Sequence, residues 1–203
     1  MLFNQRDWES VQNHQARQFK CGYGGCGREI SSEKGWYHIN ENGNQPDGMI
    51  YICPNCKRPT FFDLREGIQI PGVAIGSDIK NLPTEIQNIW TEIRNATSQG
   101  AYTAAVLAGR KLLMHVAVGQ GAAQNLNFTD YVDYFVTNHY APPNSQPWID
   151  RIRQQGNEAN HQVVIKNKDD ATEIITFLEM LLRFIYEFPA RAQAANSQSQ
   201  TAV

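Results

Sequence analysis

A chain of 203 residues is long enough for one ordinary domain plus a small one, with a real apolar core. Its 18 basic and 20 acidic residues leave a formal charge of −2, which excludes a bulk electrostatic pull toward nucleic acid or anionic membrane and leaves only local patches for such binding. No apolar run approaches the ~20 residues of a membrane span. The N-terminal M-L-F-N-Q-R-D-W-E-S lacks the apolar core of a signal peptide, so a cytoplasmic chain without membrane contact is expected.

Residues 1–18 are polar, with Trp8 and Val11 as their main apolar anchors; a short lead-in helix or a mobile segment is expected, with no function assigned. All four cysteines follow at once, between Cys21 and Cys56. Disulfide scaffolds spread cysteines over the fold they staple, whereas metal sites cluster them. Cys21-G-Y-G-G-Cys26 and Cys53-P-N-Cys56 are two short loops in which Gly and Pro supply a tight turn, so that backbone N–H groups point at sulfur. The 26 residues between the pairs contain two β-like runs, W-Y-H-I from Trp36 and M-I-Y-I-C from Met49, around the turn-rich N-E-N-G-N-Q-P-D-G; a third run, T-F-F-D-L, starts at Thr60. Two thiolate pairs separated by a hairpin read as a closed, structural Zn2+ site, a zinc ribbon over residues 19–66 with Cys21, Cys26, Cys53 and Cys56 as ligands. His38 is a spare ligand in principle, and an ordinary strand residue once four thiolates are in hand. The flanking charges Arg28, Lys34, Lys57, Arg58 and Arg65 are offset by acids, which favours an inert or protein-facing ribbon over one that grips nucleic acid.

Residues 67–81, with Pro71 and three glycines between apolar residues, read as an extended linker. From Leu82 the period becomes helical. Leu82, Ile86, Ile89, Trp90 and Ile93 form one stripe, ended before Gly100. Tyr102, Ala105, Val106, Gly109, Leu112, Leu113 and Val116 form a second, ended by Gly119 and Gly121. A third helix is expected over Phe128–His139 and a fourth from Trp148. A fifth, from Asp169, carries Ile174, Ile175, Phe177, Leu178, Leu181, Leu182 and Ile185 until Pro189 stops it. The chain is thus expected to be mainly α, a bundle of about five helices over 82–189 behind a small β ribbon, with a disordered tail at 190–203.

The fourth helix holds the strongest functional lead. Ser145 fits an N-cap and Pro147 the first turn. Ile152, Gly156, Ala159 and Val163 make a narrow small-residue face, while Arg153, Asn157 and His161 stand four apart on a neighbouring one. A glycine inside a helix costs about 1 kcal/mol relative to Ala, so Gly156 points to close approach by a partner helix or a ligand, or to a local break. Arg110, in the G-R-K of the second stripe, is either a second cation for the same cleft or a helix-pairing charge.

The runs L-P-T-E-I-Q-N-I-W-T-E-I, G-A-Y-T-A-A-V-L-A-G-R-K-L-L and I-R-Q-Q-G-N-E-A-N-H, with the final helix ending F-I-Y-E-F-P, together resemble a bacterial and phage family of unknown function in the HEPN superfamily. That family has an R-x-x-G-N-x-A-x-H signature and often an N-terminal zinc ribbon; the resemblance spans roughly residues 15–189. It implies a HEPN-like bundle, a homodimer whose paired motifs line one cleft, and a link to phage defence and restriction-type conflict. Active members of the superfamily are metal-independent endoribonucleases with an Arg, a polar residue and a His. Asn157 and His161 match the last two, but the position before Asn157 is Gly156, and the nearest upstream arginine, Arg153, stands seven intervening residues from His161.

Two functions are therefore expected from different classes. In the first, His161 is general acid or base in RNA cleavage by 2′-hydroxyl attack, Arg153 stabilises the phosphorane, and Asn157 orients either. In the second, the chain is a non-catalytic dimeric module that binds a protein, RNA or nucleotide, with the Gly156 face serving helix packing.

Overall fold

The computed structural model of the protein describes residues 8–11, 16–23, 26–43, 45–157 and 164–200, and for residues 155–157 and 197–200 the backbone alone. The chain forms two compact units, Met1–Ala74 with Ser98–Gly100 and Ile75–Thr97 with Ala101–Val203.

The first unit is antiparallel β. Strands β1 (Glu9–Ser10), β4 (Gly35–Ile39), β5 (Pro46–Ile52), β6 (Pro59–Asp63) and β7 (Ile68–Ile70) make one sheet in the order β1-β4-β5-β6-β7, and β2 (Arg17–Lys20) pairs with β3 (Glu29–Ser32) as a separate hairpin. Alternation along the strands sorts the two faces. Tyr51 and Phe62 point into a small core with Val11 and Phe19, their rings edge-to-face: Phe19–Phe62 at 5.1 Å and Tyr51–Phe62 at 6.2 Å. On the other face the register aligns Trp36, Ile50, Phe61 and Ile70 in one row across four strands, with Trp36 39% and Ile70 50% exposed. Residues 9–11 differ from the expected lead-in helix: Glu9 and Ser10 lie against Tyr37 and Trp36, and Val11 is buried. The stretch expected as a linker likewise contributes β7, because Ile68 and Ile70 complete a sheet edge that their neighbours in sequence do not reveal.

The second unit is helical: α1 (Thr84–Ser98), α2 (Tyr102–Gly119), α3 (Phe128–Thr137), α4 (Gln146–Asn157), α5 (Lys168–Leu182), a π-helical turn (Arg183–Glu187) and α6 (Phe188–Gln200). Most residues of the stripes expected from the sequence are buried; Ile89, expected on the first stripe, is instead 39% exposed, and Leu82, Tyr102 and Ile185 are only partly buried. Ile86, Trp90, Ile93, Val106, Leu113, Val116, Phe135, Ile149, Ile152, Ile175, Phe177 and Leu178 share one core. Trp90 buries its ring completely and donates Nε1–H to the Ser77 carbonyl at 3.1 Å. Asn127 caps α3 by accepting from Asp130 N–H, and Asn167 with Asp170 forms a capping box on α5. Ser145 precedes α4 as expected, but its hydroxyl donates to the Pro142 carbonyl, and its own carbonyl accepts from Trp148 and Ile149.

Two expectations at the C-terminus are corrected. Pro189 does not end the helix, and described residues of the expected disordered tail are helical to Gln200. Proline lacks an N–H and its ring crowds the carbonyl four residues back. Here the preceding turn is wound to i→i+5, with Phe188 N–H bonded to the Arg183 carbonyl, so Pro189 falls at the start of a re-registered helix, where a missing donor costs little. Residues 191–196 are all exposed, so α6 gains no burial along that stretch. No helix among the described residues is long and apolar enough to cross a membrane.

Candidate metal centre and the Arg153 helix

Two hairpin turns, distant in sequence, make one four-thiol centre. The first links β2 to β3: Cys21 N–H reaches the Arg28 carbonyl at 2.9 Å, and Cys26 and Gly27 N–H both bond to Tyr23 O. Gly27 takes φ +53°, a left-handed conformation that glycine adopts freely. The second links β5 to β6 in the same manner, with Cys53 N–H bonded to Arg58 O at 3.0 Å and Lys57 N–H to Cys53 O at 2.9 Å. Gly22 lets the first turn sit close to the chain at Pro71, since a Cβ there would lie 2.1 Å from the Pro71 carbonyl oxygen.

The four Sγ atoms all lie within 4.8 Å of one another, and the cross-turn pairs Cys21–Cys56 and Cys26–Cys53 are both at 3.7 Å. Bonded sulfurs would be about 2.05 Å apart. A tetrahedron with metal–sulfur bonds of about 2.3 Å has edges of about 3.8 Å, so this spacing suits four thiolates around one ion. Cys21 and Cys53 are buried, Cys26 and Cys56 half-buried. His38, the spare candidate, is outside the cluster; it is buried, with Nδ1 2.6 Å from Asp47 Oδ1.

The thiols are electrostatically unequal. Burial pushes Cys21 up to about 12, against the help of the Tyr23 backbone N–H. Burial opposes ionisation of Cys26 too, yet the Arg28 backbone N–H, the Asn55 amide and the neighbouring thiols together bring it down to about 6. Three side chains tie the turns together that the sequence reading did not select as site residues. Asn55 Nδ2 donates to Cys26 Sγ at 3.2 Å, Tyr23 Oη donates to Pro59 O at 2.8 Å, and the Arg58 guanidinium lies 4.5 Å from the Tyr23 ring centroid. The signal available for Asn55 was its place inside C-P-N-C. For Tyr23 and Arg58 there was none, because their pairing exists only once the turns meet.

In the helical unit, α4 turns Trp148, Ile149 and Ile152 inward; Trp148 packs edge-on against Phe177 of α5 at 5.1 Å. Arg153 lies at the border of this face and is engaged by two carboxylates. Its Nε donates to Asp133 Oδ1 of α3 at 2.7 Å, a second nitrogen of the same guanidinium meets that oxygen, and Nη1 donates to Asp150 Oδ1 at 2.7 Å. Burial works against the Arg153 charge, but Asp133 and Asp150 outweigh it and hold the group more firmly protonated than usual. Gln146 Nε2 also donates to Asp150 Oδ1, which fixes that carboxylate.

Of the other expected site residues, Asn157 and Gly156 lie on the last turn of α4, with backbone alone described. His161, Ala159 and Val163 lie outside the described residues. Arg110 stands over the Phe128 ring at 4.6 Å, at the first turn of α3, whereas Arg153 engages that helix at Asp133. Its described contact is a helix-pairing one.

No solved structure matches the chain. A family described as Domain of unknown function (DUF4145) matches residues 91–198, just over half of the chain and none of the four-thiol centre. On that match, the chain belongs to the DUF4145 family.

Proposed function

We propose that this protein is a Zn2+-stapled, HEPN-like helical module that dimerises and binds a protein partner, and that it does not cleave RNA. The observation that carries this reading is the state of Arg153. Its guanidinium is shared between Asp133 and Asp150, so among the described residues the cluster has one positive and two negative charges and offers an incoming phosphate net repulsion. The half-exposed row of Trp36, Ile50, Phe61 and Ile70 supports a protein partner, since an apolar sheet face marks a protein interface more than a phosphate-binding one. Cys21, Cys26, Cys53 and Cys56 would hold the ion. Four thiolates fill its tetrahedron and leave no open position, so it staples the fold and takes no part in chemistry.

A second reading rests on one specific feature. Arg153 keeps 24% of its side chain exposed and stands one turn before Asn157 in R-Q-Q-G-N-E-A-N-H, so release from its carboxylates on dimerisation would place a cation beside the His161 motif. In that case His161 acts as general acid or base in metal-independent RNA cleavage, within a phage-defence or restriction-type system.

End-labelled RNA incubated with the purified protein in EDTA, with bound zinc assayed alongside, separates the two. Intact RNA together with a stable dimer is the expected result. Cleavage by the wild type that is lost in His161→Ala overturns the binding-module reading and establishes the nuclease.

A further inference from the structure

We propose that Asn55 is a positioning residue of the metal centre: by donating from the second turn to a sulfur of the first, it orients Cys26 and locks the two turns in register. The inference rests on the metal reading above and goes beyond the four ligands.

The geometry is cross-linked rather than local. Asn55 and Cys26 are 29 residues apart, yet Nδ2 reaches Sγ at 3.2 Å, within the range of an N–H···S hydrogen bond. Cys26 gains from such a partner. Cys21 and Cys53 are fixed by burial and by strand-end backbone bonds, whereas Cys26 is half-buried on the Gly-rich turn between β2 and β3. Left alone, its side chain could rotate off the tetrahedral position without breaking any strand pairing. An amide donor on the outer side of the sulfur removes that freedom and offsets part of the negative charge that four thiolates concentrate around a divalent ion. The Tyr23 side chain braces the same two turns through Pro59 without touching sulfur, which supplies an internal control.

The chemistry requires a donor. Asn55→Asp keeps the shape and removes the N–H, and Asn55→Ala removes both. Tyr23→Phe removes a brace and leaves the N–H···S bond in place. Asn55 is exposed, so its variants should fold.

Full-length protein would be titrated with Zn2+ against a chromophoric chelator and separately loaded with Co2+, whose thiolate-to-metal charge-transfer band reports electron donation by sulfur. Asn55→Ala and Asn55→Asp should each bind Zn2+ about 10- to 100-fold more weakly, the range for lost outer hydrogen bonds. Both should shift the Co2+ band, and both should alkylate faster at Cys26 relative to Cys56 by peptide mass mapping. Tyr23→Phe should leave the band in place. If the wild type takes up one ion with four thiolates while both Asn55 variants match it in affinity and band position, the role of Asn55 is refuted and the centre stands. If the wild type takes up no ion, the metal reading itself fails, and this inference with it.

Discussion

Removing the Arg153 charge should destabilise the helical unit, and the size of the loss decides between a clamp and a reserve of charge for a ligand. Arg153→Met keeps most of the apolar stem and deletes every described donor. The partners Asp133 and Asp150 are 47% and 49% exposed, so solvent screening limits each pair to about 0.5–1 kcal/mol. The Asp133 contact lies at the upper end, because two nitrogens converge on one oxygen and the arginine is itself 24% exposed. Together the loss should be about 1–2 kcal/mol, a fall in Tm of roughly 3–6 °C for a chain of this size. Urea unfolding followed by far-ultraviolet circular dichroism measures it. At about 1 M NaCl, where the screening length shrinks to about 3 Å, the difference between variant and wild type should narrow. A double-mutant cycle with Asp133→Asn should return about 0.5–1 kcal/mol of coupling. A loss below about 0.3 kcal/mol with no coupling would refute the reasoning, since Arg153 would then be available for an anion and the nuclease reading would gain.

Other outcomes follow from the same structure. One divalent ion per chain should co-purify, and Cys53→Ser, at a site with no exposed surface, should abolish it and lower the thermal midpoint, as should a strong chelator; elemental analysis showing no metal would contradict the four-thiolate centre. Ile152→Ala should cost about 2–4 kcal/mol, because the side chain is fully buried in the main core and its loss leaves a cavity; a cost under about 1 kcal/mol would mean that α4 is not packed as described. Burial raises the Glu179 pKa, but the Ser77 hydroxyl and N–H and the Arg183 guanidinium hold it below 4.5 on balance. A depressed carboxylate stabilises the fold above its unfolded value, so this contribution should be present above pH 4.5 and disappear as the pH falls through the folded value. Glu179→Gln should flatten that part of the urea midpoint against pH, and an unchanged profile would argue against the Ser77–Glu179–Arg183 tie.

The legibility of the chain follows the range of its interactions. Helical period is a property of neighbours, so the spacing of Trp90, Val116 and Leu178 along the chain is enough to mark them as buried. Cysteine spacing is equally local, and the two pairs mark a single centre because a turn of that composition brings two sulfurs to one side. Edge strands are harder. Glu9–Ser10 and Ile68–Ile70 are too short for a period, and their strand character comes from the β4 and β6 edges that receive them. Pro189 misleads for a related reason: a helix-breaking residue is judged on an α register, and the turn before it is wound wider.

The amino-acid order by itself therefore determined the mainly helical class, the β region before it, the four clustered cysteines and the helix that carries Arg153, all of which depend on contacts within a turn or two of chain. The tertiary structure alone decided what those residues meet. Asn55 reaches Cys26 across 29 residues, and Arg153 meets Asp133 across 20. Hydrogen bonds and ion pairs of that reach exist only after strands and helices have packed, and no spacing in the sequence encodes which donor will find which acceptor. That is why Arg153, the leading catalytic cation of the sequence reading, stands in the fold as a charge already held by two carboxylates.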